Sequence, residues 1–207
     1  MHPKVLSGSA WKTVRALVDC GLTESWTLAG GTALALQLGH RYSEDLDFFR
    51  LDPFDTDPML ASLSTIGVVS VHSRSADTLH LTLNGLRLSF LQAQAPLLFP
   101  GTSYRGLVIA DPRDIAVMKV VAIGGRGSRK DFVDLYFILQ GGGSIDGILA
   151  LVRQRFYRID YNAYHLMKSL VFFEDAEAEP MPQLLRGVEW DVIKKTLCDA
   201  VRAAGAG

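Results

Sequence analysis

The segment Leu28–Phe49, LAGGTALALQLGHRYSEDLDFF, contains the elements around which the predicted fold is arranged. A short strand enters the pair Gly30-Gly31, an apolar helical pattern follows, and another strand begins at Asp45-Leu46-Asp47. The two aspartates point to the same side of that strand, because strand residues two positions apart share a face. Neighbouring carboxylates repel each other unless a cation lies between them. The segment therefore predicts a metal ion beside the start of a strand; the alternative is an edge strand whose acidic residues lie in solvent.

The glycine pair lies where a strand passes into a helix. A helix N-terminus offers backbone N–H groups to an anion, so Gly31 and Thr32 would present N–H groups and a hydroxyl to a triphosphate. A tight turn without a ligand is the alternative, since many strand-to-helix turns use Gly-Gly. The Lys-Ser/Thr pair of a P-loop is missing after the second glycine. Together with the aspartates, the turn favours a site for a metal-bound phosphate ester.

A β-hairpin is the clearest element outside this segment. The alternating runs LHLTL and LRLSF flank Asn84-Gly85, which is the strongest short-range hairpin signal. A two-residue turn predicts one apolar face, with the pairs Leu83 and Leu86, Leu81 and Leu88, Leu79 and Phe90. The other face is polar and carries His80, Thr82, Arg87 and Ser89.

Helical patterns occur on both sides of the hairpin, and a short strand at Val108–Ile109 is predicted before the later ones. Asp57 followed by Pro58 predicts a helix that Asp57 caps. From Pro112 onward the predicted elements are all helices, with interruptions at Gly124–Ser128, Gly141–Gly143 and Glu174–Pro182. The sequence thus predicts an α+β core at residues 1–110 and a helical part at residues 111–207.

Charged residues interrupt the first two predicted helices of that second part. Lys119 lies in an otherwise apolar stripe, so it either extends to the surface or is retained for a charge partner. Asp131 and Asp134 share a face of the next helix with Lys130, where ordinary solvated ion pairs are the alternative to a functional role. The later run RQRFYR, residues 153–158, could contact RNA, although a helix face is the commoner origin of such a run.

Composition narrows the possible classes of protein. Of 207 residues, 48% are hydrophobic, which supports a sizeable core, and the net charge of −1 excludes a globally basic nucleic-acid-binding protein. Cys20 and Cys198 match no metal or disulfide spacing and are typical of reduced thiols. No apolar run approaches the ~20 residues of a membrane span, and the first residues lack a signal-peptide core. We therefore expect a cytoplasmic protein without membrane contact.

The motifs GGTALALQL, HRYSEDLDFF and MKVVAIGGRGSRKDFVDLY occur in this order from about Trp26 to Leu139. Their combination resembles the nucleotidyltransferase family typified by the AbiEii/AbiGii toxins, within the DNA polymerase β-like superfamily. The resemblance implies a small mixed sheet with flanking helices, followed by a C-terminal helical bundle that closes one side of a cleft. It also implies a Mg²⁺- or Mn²⁺-dependent enzyme that transfers a nucleoside monophosphate from a nucleoside triphosphate to an acceptor.

The resemblance also implies roles for individual residues. The triphosphate would be held by Gly30, Gly31 and Thr32, with support from the Arg-x-Ser residues Arg41 and Ser43. The metal would be bound by Asp45 and Asp47. The further catalytic candidates facing the cleft are Lys119, Asp131 and Asp134.

The hairpin departs from the superfamily pattern. A third carboxylate is commonly expected on a strand beside the aspartates, but the polar face there holds Arg87 and Ser89, and no acidic residue lies between Asp77 and Asp111. Asp131 or Asp134 substitutes for it, or the acceptor is activated otherwise, or the protein binds nucleotides without turnover.

We accordingly expect the toxin of a toxin–antitoxin or abortive-infection system, with an RNA acceptor such as tRNA and a cognate antitoxin as partner. The alternatives are a catalytically lapsed nucleotide-binding module, an enzyme that nucleotidylates protein, and an interaction domain without a site.

Overall fold

The structure is a computed structural model that describes residues 1–159 and 161–205. Its chain divides into two compact units. The first consists of Met1–Gln37 with Ser43–Asp111, and the second of Leu38–Tyr42 with Pro112–Gly207.

The first unit is built on a mixed sheet. Its helices are α1 (Gly8–Asp19), α2 (Gly30–Leu38) and α3 (Thr56–Ile66). Its strands are β1 (Thr27–Ala29), β2 (Asp45–Arg50), β3 (Val69–Arg74), β4 (Thr78–Leu83), β5 (Leu86–Gln92), β6 (Thr102–Tyr104) and β7 (Leu107–Ile109). Within the described residues the strand order is β3-β4-β5-β2-β1-β7-β6, with β2–β5 and β1–β7 parallel. The predicted α+β class with a small mixed sheet is confirmed.

The alternation of apolar and polar residues gives this sheet two different faces. On β2, β4 and β5 every second side chain is buried and apolar, except at the last position of β2 (Arg50) and of β5 (Gln92). Phe48 stacks on Phe90 with ring centroids 5.3 Å apart. The hairpin register is confirmed in all three predicted pairs, from Leu83 with Leu86 to Leu79 with Phe90. The apolar face therefore belongs to the core, and the opposite face carries the polar residues.

Two local features differ from the sequence-based expectations. The cap of α3 is Asp55, whose carboxylate accepts the backbone N–H of Asp57 at 3.0 Å, so Asp57 lies in the first turn instead of capping it. Strand β6 was not predicted, because its three residues are mostly exposed and its turn to β7 is Arg105-Gly106. Arg105 adopts φ 52° there, a conformation in which Asn or Asp is the usual signal.

The second unit is helical. Its helices are α4 (Pro112–Gly125), α5 (Arg129–Gln140), α6 (Ile145–Arg155), α7 (Ala163–Ser169), α8 (Glu174–Glu177) and α9 (Trp190–Gly205). The segment Leu38–Tyr42 joins this unit through backbone hydrogen bonds, from Tyr42 N–H to the Gln183 carbonyl and from Leu185 N–H to the His40 carbonyl.

Among the described residues, no single helix is long and apolar enough to cross a bilayer. Helices α5 and α6, which meet at an angle of 111°, reach the necessary length and apolar composition only when taken together.

Candidate functional site

The glycine turn lies directly against one of the two aspartates. Ala29, the last residue of β1, pairs with Asp47 on β2, and Gly30 follows with a φ of 67°. A Cβ atom on residue 30 would stand 2.6 Å from Oδ2 of Asp47. Glycine is favoured here both by the left-handed backbone and by this close approach. The first turn of α2 and the Asp47 carboxylate therefore share one small region.

The hydroxyl of Thr32 is directed inward. Thr32 is buried, and its Oγ1 hydrogen-bonds with the Ser43 hydroxyl at 2.7 Å and donates to the backbone carbonyl of Asp45. Ser43 is held further by its N–H, which donates to the Val5 carbonyl at 3.0 Å. These bonds fix the start of β2 relative to the start of α2. The Thr32 hydroxyl is thus engaged within the protein, whereas the sequence analysis expected it to meet a triphosphate.

Asp45 and Asp47 occupy the polar face of β2, as the strand period predicts. Parallel pairing with β5 puts Arg87 beside Asp45 and Ser89 beside Asp47. Nε of Arg87 lies 2.6 Å from Oδ1 of Asp45, and the Asp45 side chain is 29% exposed. Arg87 therefore neutralises one of the two carboxylates that the sequence analysis assigned to a metal.

These two carboxylates suit a hard divalent cation as a partial ligand set. Mg²⁺ is commonly held by one or two carboxylates, with water and substrate phosphates as its remaining ligands. Within residues 1–159 and 161–205, no group of three or more His, Cys, Asp or Glu side chains is arranged to hold a metal ion. The donors present fit Mg²⁺ or Mn²⁺ bound together with a phosphorylated substrate better than a closed structural metal site.

The second unit brings four of the other predicted residues into one buried ion network. The guanidinium of Arg41 donates two hydrogen bonds to the Asp134 carboxylate, from Nε to Oδ1 at 2.6 Å and from Nη2 to Oδ2 at 2.9 Å. His40 adds a hydrogen bond from Nε2 to Oδ1 of the same carboxylate at 2.8 Å. Nζ of Lys119 lies 2.6 Å from an oxygen of Asp131 and 2.6 Å from an oxygen of Asp134.

Burial and charge act in opposite directions on this network. For Asp134, burial raises the pKa, but the charges of Lys119 and Arg41 outweigh it and hold the pKa well below its usual range. For Lys119, burial lowers the pKa, but Asp134 and Asp131 outweigh it and raise the pKa above its ordinary value. Lys119 is therefore retained for charge partners and does not extend to the surface. Both groups are held in their charged forms near neutral pH.

The predicted site residues thus fall into two groups, one in each unit. Gly30, Gly31, Thr32, Ser43, Asp45 and Asp47 belong to the first unit, and Arg41, Lys119, Asp131 and Asp134 to the second. The sequence analysis missed His40, which is fully buried against Asp134. Its position next to Arg41 in the polar HRYSE segment was the available signal.

The basic and aromatic run at residues 153–158 is divided between the core and the surface. Arg155 is buried with Nη1 3.6 Å from Oδ1 of Asp114, and Phe156 is buried beside it. Arg153, Tyr157 and Arg158 are exposed. Two of the six residues therefore pack within their own unit, and the other four lie on the surface.

Comparison with known proteins gives matches in sequence and in fold. The family described as nucleotidyl transferase AbiEii toxin, type IV TA system, matches residues 13–74. An uncharacterized protein of Aquifex aeolicus is 38% identical over 173 residues, which are 81% of this chain and 83% of that protein.

Solved structures extend the likeness to nearly the whole chain. A protein of H. pylori assigned to the nucleotidyltransferases has a TM-score of 0.63 at 17% identity and covers 95% of this chain and 93% of its own. The nucleotidyltransferase toxin MenT4 of Mycobacterium tuberculosis has a TM-score of 0.56 at 14% identity, with coverages of 96% and 86%. At these identities the two structures show a common fold.

Proposed function

The chain belongs to the AbiEii nucleotidyltransferase toxin family, and on that premise we propose that it transfers a nucleoside monophosphate from a nucleoside triphosphate to an RNA terminus. Transfer RNA, or another compact acceptor, fits a chain whose net charge of −1 offers no long basic footprint. The reaction would depend on Mg²⁺ or Mn²⁺ and release pyrophosphate. A cognate antitoxin would be the protein partner, because the matched family is a type IV toxin–antitoxin family.

The close approach of Gly30 to Asp47 carries this proposal. The first N–H groups of a helix have no partner within the helix and are suited to phosphate oxygens. The Asp47 carboxylate beside the start of α2 is suited to the cation that accompanies a triphosphate. A bound cation would neutralise the charge that develops on the α-phosphate and on the leaving pyrophosphate. Gly31 and Thr32 would contribute backbone N–H groups, while Thr32 and Ser43 position β2.

The network in the second unit is proposed to serve the same reaction. Lys119, Asp131 and Asp134 remain the catalytic candidates, with Arg41 in support. Because Lys119 already has two carboxylate partners at 2.6 Å, its ammonium would contact a substrate phosphate only by giving up part of that pairing. Asp134 would then stay fixed by Arg41 and His40.

A transfer assay tests the proposal. Purified protein is incubated with Mg²⁺, total RNA and each labelled nucleoside triphosphate in turn, and label entering RNA or protein is counted separately. We expect label in RNA, and its loss in the isosteric variants Asp45→Asn and Asp47→Asn. The matched control is Asp77→Asn, which removes an exposed carboxylate elsewhere in the same unit.

Three results would overturn the proposal in different ways. Undiminished transfer by both variants at positions 45 and 47 would remove the metal assignment. Label that enters only protein would favour the protein-nucleotidylating alternative. Tight binding of triphosphate in calorimetry, without transfer to any acceptor, would favour the lapsed nucleotide-binding module.

A further inference from the structure

Nucleotidyl transfer to a hydroxyl requires a group that removes its proton. As the acceptor oxygen attacks the α-phosphorus, its proton must pass to a base within hydrogen-bond reach. In the proposed function the carboxylates of Asp45 and Asp47 are committed to the cation. Asp134 is a poor proton acceptor, since the neighbouring cations hold its pKa well below the usual range, and the Asp131 carboxylate is already paired with Nζ of Lys119 at 2.6 Å. We therefore consider a base on the polar face of the sheet that has no cation as its partner.

One row of residues across this face contains such a base. Ser89 on β5 is the register partner of Asp47 on β2, and His80 on β4 is the register partner of Ser89. Nδ1 of His80 lies 3.0 Å from Oγ of Ser89. Residues directly opposite one another on paired strands share a face, so the three side chains form a continuous row. Both Ser89 and His80 are partly exposed.

The spacing of the row suits a proton relay. Neighbouring strands lie ~4.8 Å apart, so Ser89 is one strand from Asp47 and His80 is two strands away. An acceptor oxygen over Ser89 would be close to a cation held at Asp47 and within hydrogen-bond reach of the Ser89 hydroxyl. His80 is then the nearest imidazole that could receive a proton through that hydroxyl.

We propose that Ser89 and His80 form the proton relay that activates the acceptor hydroxyl, a role that rests on the proposed function. The bond from the acceptor oxygen to the α-phosphorus forms, and the bond from the α-phosphorus to the oxygen bridging to the β-phosphate breaks. Pyrophosphate leaves with that electron pair. The acceptor proton passes to Oγ of Ser89, whose own proton passes to Nδ1 of His80, in the tautomer that leaves Nδ1 as the acceptor.

A second histidine on the same face provides a matched control. Nε2 of His72 lies 2.7 Å from Oγ1 of Thr82, a pair of the same chemical type. Thr82 is in register with Arg87, which pairs with Asp45 at 2.6 Å. The guanidinium of Arg87 thus lies between this pair and β2, and a cation is not a proton acceptor. His72 should therefore be dispensable.

The experiment compares His80→Gln and Ser89→Ala with His72→Gln in the labelled-nucleotide transfer assay. We expect His80→Gln to lower kcat by about 10²–10⁴-fold, the usual contribution of general base catalysis. The KM for the triphosphate, its calorimetric affinity with Mg²⁺ and the melting temperature should stay at wild-type values. Ser89→Ala should lower kcat in the same direction, and His72→Gln should leave it unchanged.

Each outcome of these assays either supports or overturns the proposed relay. Wild-type protein that transfers nothing would overturn the proposed function and this inference with it. Active wild-type protein with an equally active His80→Gln variant would overturn only the relay. A His80→Gln variant whose triphosphate affinity falls as much as its rate would show a binding role instead, and would also overturn the relay. Should His80→Gln fail to fold, Ser89→Ala decides by the same criteria.

Discussion

Oδ2 of Asp47 lies 2.6 Å from the position that a Cβ atom on Gly30 would occupy. The backbone of the strand-to-helix turn therefore lies directly beside a carboxylate on the neighbouring strand. Because the crowded atom is at the end of a side chain, an added methyl group would be accommodated by displacing the carboxylate. A larger residue in the turn should therefore move the carboxylate that is the proposed cation ligand.

Gly30→Ala tests this link. The substituted residue would keep a φ of 67°, at a cost of about 1–2 kcal/mol for an L-residue in the left-handed region. It would also displace the Asp47 carboxylate and weaken Mn²⁺ binding. Gly85→Ala is the control, since Gly85 has a φ of 82° and open space around its Cβ position.

Urea unfolding and Mn²⁺ titration separate the two effects. Both variants should lose stability because of the left-handed backbone, whereas only Gly30→Ala should bind Mn²⁺ more weakly than the wild type. Equal Mn²⁺ affinity in the two variants would show that the Asp47 carboxylate does not move.

A structural feature could be predicted from the sequence when the residues that determine it are close together in the chain. The hairpin register followed from Asn84-Gly85, because a two-residue turn fixes the pairing locally. The shared face of Asp45 and Asp47 followed from the strand period alone. Each of these features needed only a few neighbouring residues.

Long-range pairings could not be obtained in this way. The parallel pairing that brings Arg87 beside Asp45 joins strands far apart in sequence. The hydrogen-bonded ion pair between Arg41 and Asp134 joins residues that are 93 positions apart. The sequence showed charged residues in apolar surroundings, but which of them pair is decided by tertiary packing that no local periodicity records.

Lys119→Met tests the ion network in the second unit. The change leaves the Asp131 carboxylate buried, with Arg126 at 3.9 Å as the nearest described cation, and removes one of the cations at Asp134. Breaking a buried pair from one side costs about 3–5 kcal/mol. The control Lys194→Met removes a surface pair with Glu177, and because solvent screens that pair, the loss of stability should be small.

Urea unfolding monitored by circular dichroism measures both changes. Asp131→Asn should cost less than Lys119→Met, because Lys119 retains Asp134 at 2.6 Å. Similar losses in Lys119→Met and Lys194→Met would show that Lys119 is solvated and not part of a buried network.

The lowered pKa of Asp134 predicts a loss of stability in acid. A carboxyl whose pKa is lower in the folded protein contributes stability above its ordinary pKa of 3.8, and this contribution is lost as the pH falls toward the folded value. The free energy of unfolding should therefore decrease progressively below about pH 4.

Urea midpoints between pH 5 and pH 2 check this dependence. Asp134→Asn should flatten the slope, since the substituted group does not titrate. Asp77→Asn is the control: hydrogen bonds from Ser75 and Thr78 lower the pKa of Asp77 too, but that carboxylate is fully exposed, so its loss should change the slope little. A slope that Asp134→Asn leaves intact would contradict the assignment.

Arg87→Ala should strengthen divalent cation binding at the sheet. The Arg87 guanidinium lies 2.6 Å from Oδ1 of Asp45 and is 64% exposed, so it competes with a cation for that oxygen and repels it. Removing one positive charge at such a distance near the surface is worth about 1 kcal/mol after solvent screening, or roughly fivefold in affinity.

Mn²⁺ titration at low salt measures the change, which should shrink as salt is added. Arg74→Ala, which breaks the exposed pair with Asp57 in the same unit, should leave the affinity unchanged. Weaker binding in Arg87→Ala would mean that Arg87 orients Asp45 for the cation instead of competing with it.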